Sequence, residues 1–371
     1  MRILITGGGT AGHINPAIAI ANLFKLKDNR HEILFVGTQK GLEKDLVPRA
    51  GYDIKFIHAK GFMRKLSLKN LSAVTQFFKG YREASKIIKE FKPDIAIGTG
   101  GYVAGAVLYS AHRHRVPVVI HESNAFAGVT NRFISRFAKL AYVNFENTIN
   151  TFDKAGKVIV SGNPLKEGLL NANRDEARKE LNLKPQEIYI VAMGGSRGSE
   201  TMNQCIVDML NSNPVKGKFK MIFATGEADY PKRSSLVNSN PDLSGVVSTV
   251  PYIYNVETHY AAADLVICRA GAMTCSEMCA MGKASIMIPS PYVTENHQEH
   301  NARAIEEHEA CFVITEKQLT PQSLYEKVSY LIENPDRIKK MSMNAKKLGK
   351  LDAGEIIYQS IYKYIFNKKV L

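Results

Sequence analysis

Four times along the chain a short apolar run breaks at a glycine turn and hands over to a helical segment. Arg2 to Thr6 runs into Gly7-Gly8-Gly9-Thr10-Ala11-Gly12-His13, and a helix reads from Ile14 to Leu26 with Pro16 in its first turn. Asp94 to Ile97 runs into Gly98-Thr99-Gly100-Gly101, and a helix follows over Tyr102 to His112. Ile188 to Met193 runs into Gly194-Gly195-Ser196-Arg197-Gly198-Ser199, with a helix from Glu200. Leu265 to Ile267 precedes Gly271, a helix over Ala272 to Met281 and a strand over Ala284 to Ile288. Buried strands that enter helices through glycine turns build parallel sheets with helical crossovers. Such sheets bind ligands at the carboxyl ends of their strands. The pattern starts afresh after the turn-rich Ser161-Gly162-Asn163-Pro164. It therefore predicts two Rossmann-like doubly wound α/β domains facing a cleft. The expected division is 1–163, then 164–352, with 353–371 as a terminal helix packing back on the first domain.

A chain of 371 residues accommodates two such domains. No apolar run approaches the ~18 residues of a membrane-spanning helix. The opening MRILITGGG enters a strand at once, with no secretory h-region and cleavage site, so a cytoplasmic location is the expectation. Cys205, Cys268, Cys275, Cys279 and Cys311 are scattered without CxxC spacing. They read as buried thiols rather than a disulfide framework or a zinc site.

The formal net charge of +14 implies an anionic partner: nucleic acid, an anionic membrane surface or a phosphorylated substrate. The excess concentrates between residues 55 and 92. There Lys55, Lys60, Arg64, Lys65, Lys69, Lys79, Arg82, Lys86, Lys89 and Lys92 face only Glu83 and Glu90, interleaved with Phe62, Met63, Phe77 and Phe78. This composition suits an anionic bilayer surface, or an ordinary helix with one solvated and one core face. No recognised nucleic-acid module surrounds it.

Gly7, Gly9 and Gly12 match GxGxxG literally. The second strand, however, ends in Gly37-Thr38-Gln39 and lacks the ribose-binding acid, which counts against NAD or FAD. His13 sits where the first loop becomes a helix. The positive helix end favours the neutral ring, so His13 reads as a general base or as a histidine that hydrogen-bonds the turn. His121-Glu122-Ser123-Asn124 closes another strand. Glu122 and Asn124 are site candidates, or caps for the segment beginning at Ala127. Glu277, early in the helix after Gly271, suits the two hydroxyls of a ribose, or complements the helix dipole. No DxD-like acidic pair stands beside a glycine loop, so metal dependence is not implied; no cofactor is expected.

Together GGGTAGHINPA (7–17), GTGGYVAGA (98–106), HESNAFAGVTNR (121–132), SGNP (161–164), MGGSRGS (193–199) and CRAGAMTCSE (268–277) resemble the MurG-type N-acetylglucosaminyltransferases of peptidoglycan synthesis. The likeness runs from Met1 to about Asn301. It implies a GT-B fold and inverting transfer of GlcNAc from UDP-GlcNAc to the MurNAc C4 hydroxyl of lipid I, undecaprenyl-diphosphoryl-MurNAc-pentapeptide. The product is lipid II, made at the cytoplasmic face of the cell membrane by a peripheral protein. By the same resemblance Thr10, Ala11 and Gly12 close on the donor sugar and diphosphate, Asn124 meets the sugar, and Ser196 lies near the diphosphate. The backbone at Ile253 reads the uracil. Ala272, Met273, Thr274, Cys275, Ser276 and Glu277 form the nucleotide-binding helix, with Glu277 on the ribose, and Gln298 reads the GlcNAc hydroxyls. His13 is the first candidate for the base and Glu122 the second. Three positions depart. Ala11 replaces a frequent glycine, at little cost where the backbone angle permits. Lys166 stands where many relatives carry arginine, keeping the charge but losing the planar fork. His297 replaces the first of two glutamines. A UDP-GlcNAc 2-epimerase is the nearest competing enzyme, and a nonenzymatic protein of anionic surfaces is the competitor from another class.

Overall fold

The structure is a computed structural model. It describes residues 1–60, 68–195, 198–212 and 219–367, with the backbone alone at 11, 68–74 and 294. From the amino terminus the order is β1 (Arg2–Thr6), α1 (Ala11–Lys27), β2 (Glu32–Gly37), α2 (Glu43–Arg49), β3 (Asp53–Phe56), α3 (Leu68–Phe91), β4 (Ile95–Gly98), α4 (Tyr102–Arg113), β5 (Val118–Glu122), α5 (Val129–Ile134), β6 (Leu140–Val143) and β7 (Val158–Val160). Then come α6 (Glu167–Asn171), α7 (Arg174–Glu180), β8 (Tyr189–Met193), α8 (Glu200–Ser212), β9 (Lys220–Ala224), α9 (Tyr230–Asn238), β10 (Val247–Val250), α10 (Val256–Ala262), β11 (Leu265–Cys268), α11 (Ala272–Ala280), β12 (Ala284–Met287), α12 (His297–Glu306), β13 (Cys311–Val313), α13 (Pro321–Glu333), α14 (Pro335–Leu348) and α15 (Ala353–Ile365). The chain forms two compact units, Met1–Leu165 with Leu351–Leu371, and Lys166–Lys350.

Each unit is a doubly wound parallel sheet, the class that the glycine loops predict. The first sheet runs β3-β2-β1-β4-β5-β6-β7 and the second β10-β9-β8-β11-β12-β13. In the first, β1 lies between β2 and β4, with Ile3 in register with Ile33 and Ile95. Both faces of β1 are covered, as parallel strands require. Ile3 and Ile5 enter a core with Ile14, Ile20 and Phe24 of α1, while Leu4 enters the core that α3 and α4 cover. The second sheet repeats this. Ile190 and Ala192 of β8 pack under α8 and α13, and Tyr189 and Val191 pack under α10 and α11.

The last helix completes the first unit. Ile357, Tyr358 and Ile361 of α15 join the core of Phe24 and Tyr142. The Tyr142 hydroxyl lies 2.6 Å from Ser360 Oγ and donates to the Ile357 carbonyl at 3.2 Å. All five cysteines are buried, and burial pushes the thiols of Cys205, Cys268 and Cys279 up to about 12. No helix among the described residues is long and apolar enough to cross a membrane.

Several elements depart from the sequence reading. The first helix begins at Ala11, three residues before the apolar stripe that marks it in the sequence. Pro16 therefore lies beyond the first turn, and it has no N–H to return to the Gly12 carbonyl. The basic segment is not one element. It spans the end of edge strand β3, residues 61–67 outside the described set, and α3. Its two acids are engaged within it: Lys55 pairs with Glu90 at 2.9 Å, and His58 with Glu83 at 2.7 Å.

Candidate active site

In the first unit the two glycine loops lie backbone against backbone. The Gly8 N–H donates to the Gly100 carbonyl at 3.3 Å. Gly101 has φ +86°, and a Cβ there would fall 2.2 Å from the Gly8 carbonyl oxygen, so both the left-handed turn and the close approach need glycine. Thr10 is the N-cap of α1 but makes no side-chain cap. The amides of Ala11 and Gly12 therefore have no acceptor within the helix and point past its end. The side chain of Ala11 is outside the described set.

His13, half-buried in that first turn, is held on both sides by Thr99. The Thr99 hydroxyl donates to the His13 carbonyl at 2.6 Å, and the His13 Nδ1 lies 3.1 Å from the Thr99 carbonyl. A carbonyl only accepts, so Nδ1 carries the hydrogen. The neutral ring then keeps its lone pair on Nε2. A base needs this arrangement: one ring nitrogen fixed by the fold, the other left to take a proton.

Glu122, at the carboxyl end of β5, is differently placed. It is 1% exposed. Its Oε1 accepts the N–H and Nδ2 of Asn124, at 3.0 and 3.1 Å. Its Oε2 accepts the Gly128 N–H and the Asn131 Nδ2, both at 3.0 Å. Four donors occupy the carboxylate's in-plane positions, which shapes residues 122–131 into one rigid turn. Asn131 also donates to the His121 carbonyl at 3.1 Å. The His121 ring is fully buried, donates from Nε2 to the Gly162 carbonyl at 3.0 Å, and is pushed toward the neutral form by burial. The sequence marks His121 only as part of the polar cluster that closes this strand and gives Asn131 no role of its own.

In the second unit, β11 enters α11 through Gly271, which makes no side-chain cap, and the first turn holds no acid. The Cys275 N–H closes the first helical bond onto the Gly271 carbonyl at 2.9 Å. The amides of Met273 and Thr274, ahead of it, have no acceptor within the helix, and the dipole favours an anion there. Cys275 faces inward, its Sγ 3.8 Å from Met287 Sδ, because the helix buries that stripe in the core. Ser276 and Glu277 lie on the half-buried face. Burial pushes the Glu277 carboxyl up to about 7, with exposed Lys166 opposing and Glu257 adding to the shift.

Ile253 is 4% exposed and its side chain belongs to the core, so the chain there presents its backbone. It lies between Tyr252 and Tyr254, whose exposed rings meet edge to face at 5.0 Å. Gln298, the second residue of α12 after His297, accepts the Ser290 N–H on Oε1 at 2.9 Å, so what it offers a ligand is its amide donor. Ser196 lies outside the described residues.

Sequence reasoning gave no role to Arg269 or Asn301. Arg269 follows β11, donates to the Ile288 carbonyl at 3.0 Å and to Ser199 Oγ at 2.5 Å, and pairs with Glu316. Asn301 is fully buried and donates to the Ala270 carbonyl at 3.2 Å. These two side chains tie the β8–α8 loop, the β11–α11 loop and α12 together from partners 31 to 70 residues distant.

Residues 3–143 match the glycosyltransferase family 28 N-terminal domain, and residues 189–356 match the family's C-terminal domain. A Ruminiclostridium cellulolyticum protein named UDP-N-acetylglucosamine--N-acetylmuramyl-(pentapeptide) pyrophosphoryl-undecaprenol N-acetylglucosamine transferase is 49% identical over 98% of this chain and 100% of its own. One of the same name from Acetivibrio thermocellus is 46% identical over 99% of each chain. Among solved structures, Acinetobacter baumannii MurG superposes with a TM-score of 0.79 at 27% identity, covering 98% of this chain and 99% of that one. A Neisseria meningitidis UDP-GlcNAc 2-epimerase bound to UDP-GlcNAc superposes at 0.64 with 16% identity, over 98% of this chain and 100% of that one, a likeness of fold alone.

Proposed function

The chain belongs to glycosyltransferase family 28, and on that premise we propose that it transfers N-acetylglucosamine from UDP-GlcNAc to the MurNAc C4 hydroxyl of lipid I, forming lipid II. The carrying observation is the likeness, at 49% and 46% identity along the whole length, to proteins named for this transfer.

The side chains supply a direct displacement. His13 Nε2 takes the proton of the acceptor hydroxyl as its oxygen bonds to the anomeric carbon. The bond from that carbon to the diphosphate breaks, and its electron pair leaves with UDP. One displacement inverts the anomeric configuration, and one base suffices for it. The first-turn amides of α11 meet the diphosphate, where the negative charge develops. Glu277 accepts from the ribose hydroxyls. Lys166 adds a point charge near Glu277, and the backbone at Ile253 reads the base. Thr10, Gly12, Asn124 and Gln298 attend the sugar and its phosphates. In this reading Glu122 shapes the turn that carries Asn124, and His13 is the base.

The acceptor is a lipid, and we place the protein at the cytoplasmic face of the membrane. α3 supports this with exposed Lys79, Arg82, Lys86 and Lys89. Phe78 is 60% exposed and Phe133 42%, and Phe77 and Phe133 both pack on Tyr109, so the aromatic surface is continuous. Changing Lys79, Arg82 and Lys86 together to glutamine is expected to weaken binding to anionic vesicles ~100-fold, at about 1 kcal/mol per charge. Co-sedimentation that the triple change leaves intact sinks this placement.

Transfer of labelled GlcNAc from UDP-GlcNAc, with and without a lipid I analogue, tests the function. Label entering a disaccharide lipid only when the acceptor is present supports the reading. Donor turnover without acceptor transfers the assignment to an epimerase.

A further inference from the structure

Glu43 opens α2 and is 1% exposed. Its carboxylate lies at the meeting point of two loops. Oε2 accepts the Gly9 N–H at 2.9 Å, and Oε1 accepts the Thr38 N–H at 2.9 Å and the Thr38 hydroxyl at 2.8 Å. The loops are built around it. A Cβ on Gly8 would come 2.6 Å from Oε1, on Gly37 2.5 Å from Cγ, and on Gly41 2.0 Å from Oε2. Thr38 Oγ1 also lies 3.3 Å from the hydroxyl of Tyr102, the first residue of α4. All the donors are neutral. A buried carboxylate held by two amides and a hydroxyl is a costly way to fill space, because burying charge is repaid poorly without a cation. What it provides is geometry: an acceptor with oxygens on both sides.

The network reaches His13 by two routes. Gly9 belongs to the loop that leads into the first turn of α1, and His13 follows four residues later. Tyr102 follows the second glycine loop, whose Thr99 fixes the His13 ring. We propose that Glu43 is a positioning residue for the transfer reaction. Its carboxylate holds the first glycine loop directly, through Gly9, and the second by way of Thr38 and Tyr102, in the arrangement that leaves the lone pair of His13 on Nε2 and turns the Ala11 and Gly12 amides outward. This rests on the reading of His13 as the base. Glutamine at this position keeps the size but presents an NH2 group to an N–H, so one loop must move. Displacement of a catalytic group by about 1 Å costs on the order of 100-fold in rate.

Two measurements on Glu43→Gln test this. Steady-state transfer is expected to show kcat down roughly 10- to 100-fold, with KM for UDP-GlcNAc changed by about threefold at most, a quarter to a half of that effect on a logarithmic scale, because the contacts proposed for the uracil and ribose lie on the second unit and only those of the first loop to the sugar and phosphates shift. The ¹⁵N shifts of the His13 ring, which report the tautomer, are expected to move from the Nδ1–H form toward a mixture. Loss of fold stability alone moves neither the kcat of the folded fraction nor the tautomer. If Glu43→Gln does not fold, Thr38→Val carries the test. It removes the hydroxyl that reaches both Glu43 and Tyr102, and it is expected to lower kcat about tenfold by the same misplacement. A folded Glu43→Gln, or failing that a folded Thr38→Val, with wild-type kcat and an unchanged His13 ring overturns the proposal. A wild-type protein that transfers nothing overturns the function instead, and the ring spectra still decide whether Glu43 holds the loops.

Discussion

His13→Ala is expected to lower kcat for transfer by about 100- to 10,000-fold, the range for removing a positioned general base. UDP-GlcNAc binding should be nearly unchanged, since the contacts proposed for the uracil and ribose lie on the other unit and those proposed for the sugar and phosphates in the first unit do not use the His13 ring. The melting temperature should also hold, because the half-buried ring makes one hydrogen bond, to the Thr99 carbonyl. The Thr99 hydroxyl reaches the His13 main chain, which alanine preserves. The ring leaves a space bordered by Gly100, where a Cβ would fall 2.7 Å from Nδ1. Free imidazole can enter such a space, and it should restore part of the lost rate. A histidine that merely braces the turn gives the opposite pattern: lower stability, near-normal kcat in the folded fraction, and no response to imidazole.

Glu277→Ala is expected to weaken UDP-GlcNAc binding about 100-fold, since hydrogen bonds to a charged group are worth roughly 1.5–3 kcal/mol each. The wild type adds a pH signature. Burial holds the Glu277 carboxyl near 7, above its ordinary value of 4.5. In the proposed contact two ribose hydroxyls donate to the ionised form, so binding favours loss of the proton. Affinity should therefore rise with pH through the region around 7 and level off above it, and at pH 7 binding should release about half a proton. The sign for folding is opposite. The folded protein holds this proton to higher pH than the unfolded chain, so the contribution of Glu277 to stability falls as pH rises from 4.5 to about 7. UDP-GlcNAc is the ligand to use, because a diphosphate diester has no group titrating near neutrality. Calorimetry in buffers of different ionisation enthalpy counts the proton. A flat affinity profile with no release would leave Glu277 as a complement to the helix dipole.

The parts of the molecule legible in the sequence are those written locally. The strand runs of β1, β7 and β11, the glycine turns after them and the start of α8 at Glu200 need only a window of a dozen residues. Helix α1 shows where that window misleads. Glycines at 7, 8, 9 and 12 read as loop, yet Ala11, Gly12 and His13 are already helical. The short strands β3, β6 and β13 have three or four residues each and no turn signature of their own. Pairing with longer neighbours makes them strands. At the site, the sequence placed His13 and Glu277 at helix starts, where dipole and hydrogen-bond arguments apply without knowing the fold. Glu122 was legible as a polar group at a strand end, but the donors that occupy its oxygens come partly from Gly128 and Asn131, six and nine residues on. Glu43 reads in sequence as one more acid on a charged helix, GLEKDLVPR. Its burial follows from the convergence of Gly8, Gly37 and Gly41 on one carboxylate, which no linear spacing encodes. Arg269 and Asn301 are hidden for the same reason.

The return of α15 to the first unit sets an order of assembly. Lys166–Lys350 is one uninterrupted stretch, and its sheet and both its cores are complete once that stretch has been made. The unit that carries His13 begins to be synthesised first and is finished last, since Ile357, Tyr358 and Ile361 close the face over Ile3, Ile5 and Phe24. On the ribosome, the second unit can therefore be native while the earlier one still waits for its lid of apolar side chains. A chain stopped at residue 350 would retain every second-unit contact proposed for UDP-GlcNAc and lose the cover of the half that holds His13.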